Sequence, residues 1–137
     1  MPNALATGPL QVVAYEPGVC NIGPAEIARR RRSGHIGLAA SVVLFAALLV
    51  LGAPHIARLL LVLTASIAAT GYLQARLHFC AGFGSAGVYN LGPLGTVQQV
   101  AEAGARRRDR MRSLQIGIAS LAIGLAVGIG AALLPIG

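Results

Sequence analysis

Three long runs of uncharged, mostly apolar residues decide what this chain can fold into. The first covers residues 36–53, the second covers 59–75, and the third begins at Leu114 and continues to the last residue. A helix rises about 1.5 Å per residue, so the first run covers about 27 Å, close to the hydrocarbon thickness of a bilayer. Charged residues make up only 11% of the chain, whereas a soluble domain carries about a quarter. We predict an all-α membrane protein with three transmembrane helices.

The runs also divide the chain into segments. Residues 1–19 combine proline, glycine and short apolar pieces, which predicts an extended or flexible segment. Residues 20–113 read as a helical hairpin, with Gly52 and Pro54 at its turn, followed by a cytoplasmic glycine-rich loop and a basic helix. Residues 114–137 form the third transmembrane helix, so the fold is a hairpin of two helices plus a C-terminal span.

The arginines predict the orientation, because cytoplasmic loops of membrane proteins carry an excess of basic residues. With the N-terminus inside and the C-terminus outside, ten of the eleven arginines are cytoplasmic and Arg58 alone is outside. We therefore expect a multi-pass protein of a bacterial-type inner (plasma) membrane. The cytoplasmic set comprises Arg29, Arg30, Arg31 and Arg32 before the first span, and Arg76, Arg106, Arg107, Arg108, Arg110 and Arg112 between the second and third.

The same arginines suggest what the protein contacts. An arginine near the membrane surface gains about 1 kcal/mol from anionic lipid headgroups, so we expect a bilayer with anionic lipids as one partner. Nucleic acid is not expected, because the arginine runs lack interleaved aromatic residues and a soluble binding fold.

The third span carries a stripe of small residues at a spacing of four. Such residues let two helices approach closely in a membrane. Two interpretations stay open: packing against the first two spans, or contact with helices of another chain. The stripe consists of Ser120, Gly124, Gly128 and Ala132.

The spans carry no ionisable residue near their middle. Because such residues mark proton relays and ion pathways, a pump or proton-coupled transporter is disfavoured. Together with the absence of a catalytic constellation, this makes a non-enzymatic role the more plausible expectation.

Two cysteines flank the first two spans on the same predicted side. Cys20 precedes span one and Cys80 follows span two, so the hairpin could bring the thiols near each other. Cys20 is also close to a helix start and four arginines, conditions that lower a thiol pKa. The alternatives are ordinary packed small residues or a functional thiol pair that handles sulfur or redox equivalents.

His35 and His78 lie near the same boundary as the cysteines. Four such N and S ligands could bind zinc, and two facing histidines could ligate haem b. The spacing matches no known zinc motif. We therefore expect no cofactor, with zinc and haem b as the alternatives.

Shorter motifs predict local structure. Gly23-Pro24 starts a helix with proline at its first position, and TVQQ (96–99) reads as a capping box for a helix that starts near Val97. GFGSAG (82–87) matches the dinucleotide-binding fingerprint by letter, but a predicted membrane helix precedes it instead of a strand. We expect instead a tight surface loop, with aromatic anchors at Phe79, Phe83 and Tyr89.

Residues 20–92 resemble a known family. The segments NIGPAEIARR and GYLQARLHFC, placed before and after the apolar hairpin, are similar to the YgaP-like, rhodanese-associated small inner-membrane domains, whose own function is undefined. The resemblance implies a two-helix membrane hairpin and hints at sulfur chemistry. Its motif positions in this chain are Asn21, Gly23, Glu26 and Cys80. The third span, Cys20 and the lack of a rhodanese domain depart from the family pattern.

Two functional hypotheses follow. The first is a small integral membrane protein that acts by helix packing, as a homo-oligomer or as an accessory subunit of a larger membrane complex. The second is a membrane thiol protein that uses Cys20 and Cys80.

Overall fold

The structure, a computed structural model, describes residues 14–137 and is mostly helical, with 70% of these residues in helices. Three of the helical segments are long and apolar enough to cross a membrane. The prediction of a largely α-helical, multi-pass membrane protein is confirmed at this level. In chain order the elements are α1 (Pro24–Val50), a 3₁₀ helix (His55–Leu60), α2 (Leu61–Leu77), α3 (Ala81–Ala86), β1 (Val88–Tyr89), β2 (Gln98–Gln99) and α4 (Ala103–Leu133).

Helix α1 begins as the sequence predicts and runs without a break. Pro24 occupies its first turn, where a missing backbone N–H costs nothing. The helix ends just before Gly52, whose φ of 66° makes the left-handed turn that glycine adopts without strain. The chain then enters the 3₁₀ helix and α2, so α1 and α2 are joined by a short turn.

Helices α1 and α2 approach closely because glycines face the contact. A Cβ atom placed on Gly37 would lie 2.6 Å from the backbone nitrogen of Ala68, and one on Gly34 would lie 2.7 Å from the ring of Tyr72. From the other side, a Cβ on Gly71 would lie 2.8 Å from the carbonyl oxygen of Arg30. Van der Waals contact between backbones is the main source of helix association in lipid, so these positions specify the pair.

Helix α4 packs on α2 through the stripe of small residues. Ser120, Gly124 and Gly128 are buried, and a Cβ on Gly124 would lie 2.7 Å from the carbonyl oxygen of Val62. The end of the stripe differs from the prediction, because Ala131 is buried whereas Ala132 is only partly covered. The described structure thus uses the stripe for packing inside the chain.

The arginine-rich end of the bundle carries most of the non-helical chain. The two short strands pair antiparallel, with Val88 opposite Gln99 and Tyr89 opposite Gln98. The capping-box prediction at 96–99 is therefore wrong. Gln98 and Gln99 join a strand, the Thr96 hydroxyl donates to Asn90 Oδ1 at 2.8 Å, and the helix starts at Ala103. Long-range pairing has overridden a local helix signal.

Two further loop predictions have different outcomes. GFGSAG lies mostly in the short helix α3 and follows a helix, not a strand, which agrees with its rejection as a dinucleotide site. Phe79 is completely buried and is not a surface anchor. Phe83 and Tyr89 are half-buried, and Tyr89 stacks on Tyr15 with ring centroids 4.6 Å apart.

The structure describes only part of the predicted N-terminal segment, residues 1–19. Residues 1–13 of the predicted N-terminal segment lie outside the described residues. Residues 14–20 form a small turn closed by an antiparallel bridge between Glu16 and Cys20.

Candidate functional site

The four positions that carry the family resemblance lie in one hydrogen-bonded network at the arginine-rich end. Asn21 is fully buried, its Nδ2 donates to the Cys80 carbonyl at 3.1 Å, and its Oδ1 accepts from the Cys80 N–H at 2.7 Å. The backbone N–H of Gly23 donates to the carbonyl of Asn90 at 2.9 Å. These bonds fix the start of α1 against the loop that follows α2.

Glu26 places a buried charge in this network. Its side chain is 1% exposed, and Oε2 accepts from Asn90 Nδ2 at 3.1 Å. Arg30, one turn later, places Nη1 3.1 Å from Oε1 in an ion pair that is not aligned as a hydrogen bond. Arg29 is more distant, at 4.0 Å, and is largely exposed. A buried carboxylate needs such partners, because an unpaired charge is costly to bury.

Cys80 is the thiol that the network holds. It is 5% exposed and occupies the N-cap of α3, where its sulfur accepts from the Phe83 N–H at 3.5 Å. Arg30 Nη2 donates to the same sulfur at 3.0 Å. A hydrogen bond from a charged guanidinium is stronger than one between neutral groups, so this contact holds the Cys80 side chain in place. Cys80 also lines a cleft of about 510 Å³ between α1 and α2.

Cys20 has a different setting from the one that the sequence suggests. Burial raises the pKa of its thiol, the charge of Glu16 adds to the increase, and a hydrogen bond at the Ile22 backbone opposes it. The expectation of a lowered Cys20 pKa is therefore wrong, and Arg30 is engaged with Glu26 and Cys80 instead. Both cysteines are free.

The four predicted metal ligands do not form one cluster. Within residues 14–137, no group of three or more potential ligands comes together in a way that could hold a metal ion. His35 Nδ1 instead pairs with the Tyr72 hydroxyl at 2.7 Å. His78 ends α2 in a left-handed conformation, with φ at 55°, and its carbonyl accepts from the Asn21 N–H.

The predicted headgroup arginines have mixed settings. Arg31 and Arg32 are exposed on α1. Arg106 is used within the chain, since its Nη1 donates to the carbonyls of Val100 and Ala101 at 2.8 and 2.7 Å. Arg107 and Arg108 line an open cavity of about 570 Å³ beside Gly18.

Asp109 is a buried acidic residue that the sequence did not predict as part of the site. It is fully buried, and its two carboxylate oxygens accept from the Tyr15 hydroxyl and the Gly18 N–H, both at 2.7 Å. Desolvation and this carboxylate raise the pKa of Tyr15 above its usual value. The only sequence signal was one acidic residue within RRRDRMR, and such a run of charges usually indicates a solvent-exposed helix face. Asp109 fixes residues 15–18 to α4.

Arg58 is a second missed residue, at the opposite end of the bundle. It is 2% exposed, and Nη1 donates to the carbonyls of Ala131 and Leu134 at 3.1 and 3.0 Å. Nη2 donates to the carbonyl of Ile136. The last carbonyls of a helix lack internal partners and carry partial negative charge, so Arg58 caps α4.

The second candidate site is an apolar groove along α2. Among the described residues, α1 and α4 both pack on α2 but do not form a contact surface with each other. The space between them holds two adjoining cavities of about 330 and 340 Å³. The groove has uncharged walls throughout, which include Leu38, Ser41 and Phe45 of α1, Ala65 and Tyr72 of α2, and Ile123 and Val127 of α4.

Comparison of the chain with family models, with curated proteins and with solved structures found no match.

Proposed function

We propose that this protein is a small integral membrane protein that acts by helix packing, and that the groove between α1 and α4 receives a transmembrane helix of a second copy. The supporting observation is the groove itself. Three helices arranged with α2 between the other two leave one face of α2 open along most of its length. A further helix would fill that space and gain the van der Waals contact that drives association in lipid.

The chemistry of the groove favours a second copy of this chain. Its lining contains no charged side chain, so a partner helix must be apolar over the same length. The outer face of α1 offers such a surface, with Ile36, Val43 and Val50 63%, 68% and 84% exposed. Copies in one membrane share an orientation, which keeps their arginine-rich ends at the same surface.

We further propose the orientation and location. The arginines of α1, of the last turn of α2 and of the start of α4 lie at one end of the bundle, and Arg58 lies at the other. The excess of arginine supports a cytoplasmic N-terminus and an outside C-terminus in a bacterial-type inner membrane.

A photocrosslinking experiment tests the packing role. In a variant with both native cysteines replaced by serine, Ser41→Cys places a benzophenone-maleimide label in the groove, and Ile129→Cys places it on an exposed face of α4 that lies outside both the groove and the outer face of α1. We expect purified protein in nanodiscs that hold several copies to give a dimer-sized product from the groove label, in higher yield than from the control. Equal yields from both labels, or monomer alone, would refute self-association. Crosslinking to a different membrane protein in native membranes, with no dimer formed, would instead indicate that the protein is an accessory subunit of a larger complex.

A second candidate function rests on one further observation, the hydrogen bond from Arg30 to the Cys80 sulfur. We propose that Cys80 is the thiol that handles sulfur or redox equivalents, and that Cys20, with its raised pKa, plays the lesser part. The resemblance to the YgaP-like domains supports this candidate, because its motif positions Asn21 and Glu26 build the surroundings of Cys80.

The thiol role is tested by alkylation rates near neutral pH. We expect Cys80 in the Cys20→Ser variant to react faster than Cys20 in the Cys80→Ser variant, despite its greater burial. We also expect Arg30→Gln to slow Cys80. A Cys80 that reacts more slowly than Cys20, with no effect of Arg30→Gln, would rule this candidate out.

A further inference from the structure

The cleft beside Cys80 lies on the opposite face of α2 from the apolar groove. The residues that α2 contributes to the cleft include Ile67, Thr70 and Gln74, and those that it contributes to the groove include Ala65 and Tyr72. Because each residue turns the helix by about 100°, these two sets lie on opposite faces of α2. The cleft has a volume of about 510 Å³, within the range of small-ligand sites.

The charge of this cleft is positive. Arg29 and Arg30 line it, and its lining includes no acidic residue. The nearby Glu26 is 1% exposed and is used by Arg30 and by the Asn90 amide. Arg29 lies 4.0 Å from that carboxylate and its side chain is 58% exposed, so its guanidinium is available to a ligand.

One polar side chain of α2 also lines this space. Gln74 is 7% exposed and lines the cleft. Its Oε1 accepts from the Ala81 N–H at 2.8 Å, while its Nε2 donates to no residue that the structure describes. The Gln74 amide therefore keeps N–H donors that an anion in the cleft can accept from.

We propose that this cleft binds one phosphate-type anion, held by Arg29 with the Gln74 amide and the Ser33 hydroxyl beside it. Arginine presents paired N–H groups that match a phosphate. The ligand is a phosphodiester headgroup of an anionic lipid or a free phosphate. Ile67 and Ser66 continue the cleft toward the apolar part of α2, where the glycerol end of a lipid would lie. The site is independent of helix docking in the groove and requires no chemistry at Cys80.

Native mass spectrometry of the full chain, released from nanodiscs, measures the binding. The nanodiscs contain phosphatidylcholine alone, phosphatidylcholine with phosphatidylglycerol, or phosphatidylcholine with added inorganic phosphate. Arg29→Gln removes the guanidinium that is proposed to bind the anion. Arg32→Gln is the matched control, because Arg32 is exposed on the same helix and does not line the cleft. We expect Arg29→Gln to lower the retained anion about fivefold, the equivalent of about 1 kcal/mol, and Arg32→Gln to leave it within about twofold.

Alkylation of Cys80 in the Cys20→Ser background locates the anion. Bound anion should slow alkylation in the parent and in Arg32→Gln, and should not slow it in Arg29→Gln. Protection by phosphatidylglycerol alone identifies a lipid headgroup, and protection by inorganic phosphate identifies the free ion. Equal losses in the two arginine variants, or no anion retained beyond phosphatidylcholine levels, would overturn the proposal. If Cys80 does not react, the mass comparison decides alone.

Discussion

The two ends of the helical bundle are held together by different kinds of contact. At the arginine-rich end, four buried polar side chains tie the loops and helices together: Asn21, Glu26, Asn90 and Asp109. At the other end the buried side chain of Arg58 spans from the 3₁₀ helix to the last carbonyls of α4, and His55 Nδ1 pairs with the Ala132 carbonyl at 3.2 Å.

The difference follows from what each end must satisfy. The arginine-rich end carries residues 14–23 and 78–102, whose backbone groups cannot all pair within helices. Buried backbone polar groups require partners, and asparagine offers a donor and an acceptor in one short side chain. The opposite end has a tight turn and the end of α4, whose last carbonyls pair with Arg58 and His55.

The largest effect that this comparison predicts is at Asn90. Its amide donates to Glu26 and to the Pro93 carbonyl, and its Oδ1 accepts from the Gly92 N–H and the Thr96 hydroxyl. Asn90→Ala removes all four bonds, so we expect a loss of about 3 kcal/mol in the free energy of unfolding.

Unfolding in mixed micelles of increasing denaturing detergent measures this loss. The control is Gln99→Ala, an exposed residue of the same loop, which should change stability by less than about 0.5 kcal/mol. Similar values for the two variants would show that the Asn90 network contributes little.

A smaller loss is expected at the opposite end. Arg58→Gln removes the donors to three carbonyls at the end of α4, and hydrogen bonds from a charged group are worth about 2 kcal/mol. We expect faster amide exchange in the last turn of α4 and lower stability in the same micelle assay. Arg76→Gln, an exposed arginine outside this contact, serves as the control. No difference between these variants would mean that the cap is dispensable.

The smallest effect concerns the contact of Tyr15 with Asp109, and it depends on pH. The pKa of Tyr15 is raised in the folded state, so the folded protein keeps this proton more tightly than the unfolded chain does. The resulting stabilisation is present below about pH 10 and is lost as the pH rises further. We expect Tyr15→Phe to cost about 1 kcal/mol at neutral pH.

Stability measured from pH 8 to above pH 10 separates this contact from the other tyrosines. The parent should lose stability faster than Tyr15→Phe across this interval, and Tyr89→Phe should behave like the parent. Parallel curves for the parent and Tyr15→Phe would exclude a specific role for this hydroxyl.

The extent to which sequence predicts this molecule differs between the two regions as well. The apolar runs predicted three helices, and Pro24 marked the start of α1, because both signals are local. The small residues of α4 predicted a close contact but not its partner, which is α2 of the same chain.

The polar end was harder to predict, because its contacts join distant residues. The resemblance singled out Asn21 and Glu26, yet nothing local shows that Asn90 completes their network or that Asp109 holds Tyr15. The capping box at 96–99 failed for the same reason, since pairing with Val88 and Tyr89 decides the conformation of that segment.

The central position of α2 has a consequence for the order in which the protein assembles during synthesis. Helix α1 packs on α2 through residues that are complete before α3 and the loop have been made. Chains fold progressively from the N-terminus as they emerge, so this pair closes first. Val62 and Ser66 then face lipid until Gly124 and Gly128 arrive to cover them. The glycine stripe of α4 is thus the last part of the bundle to pack against α2.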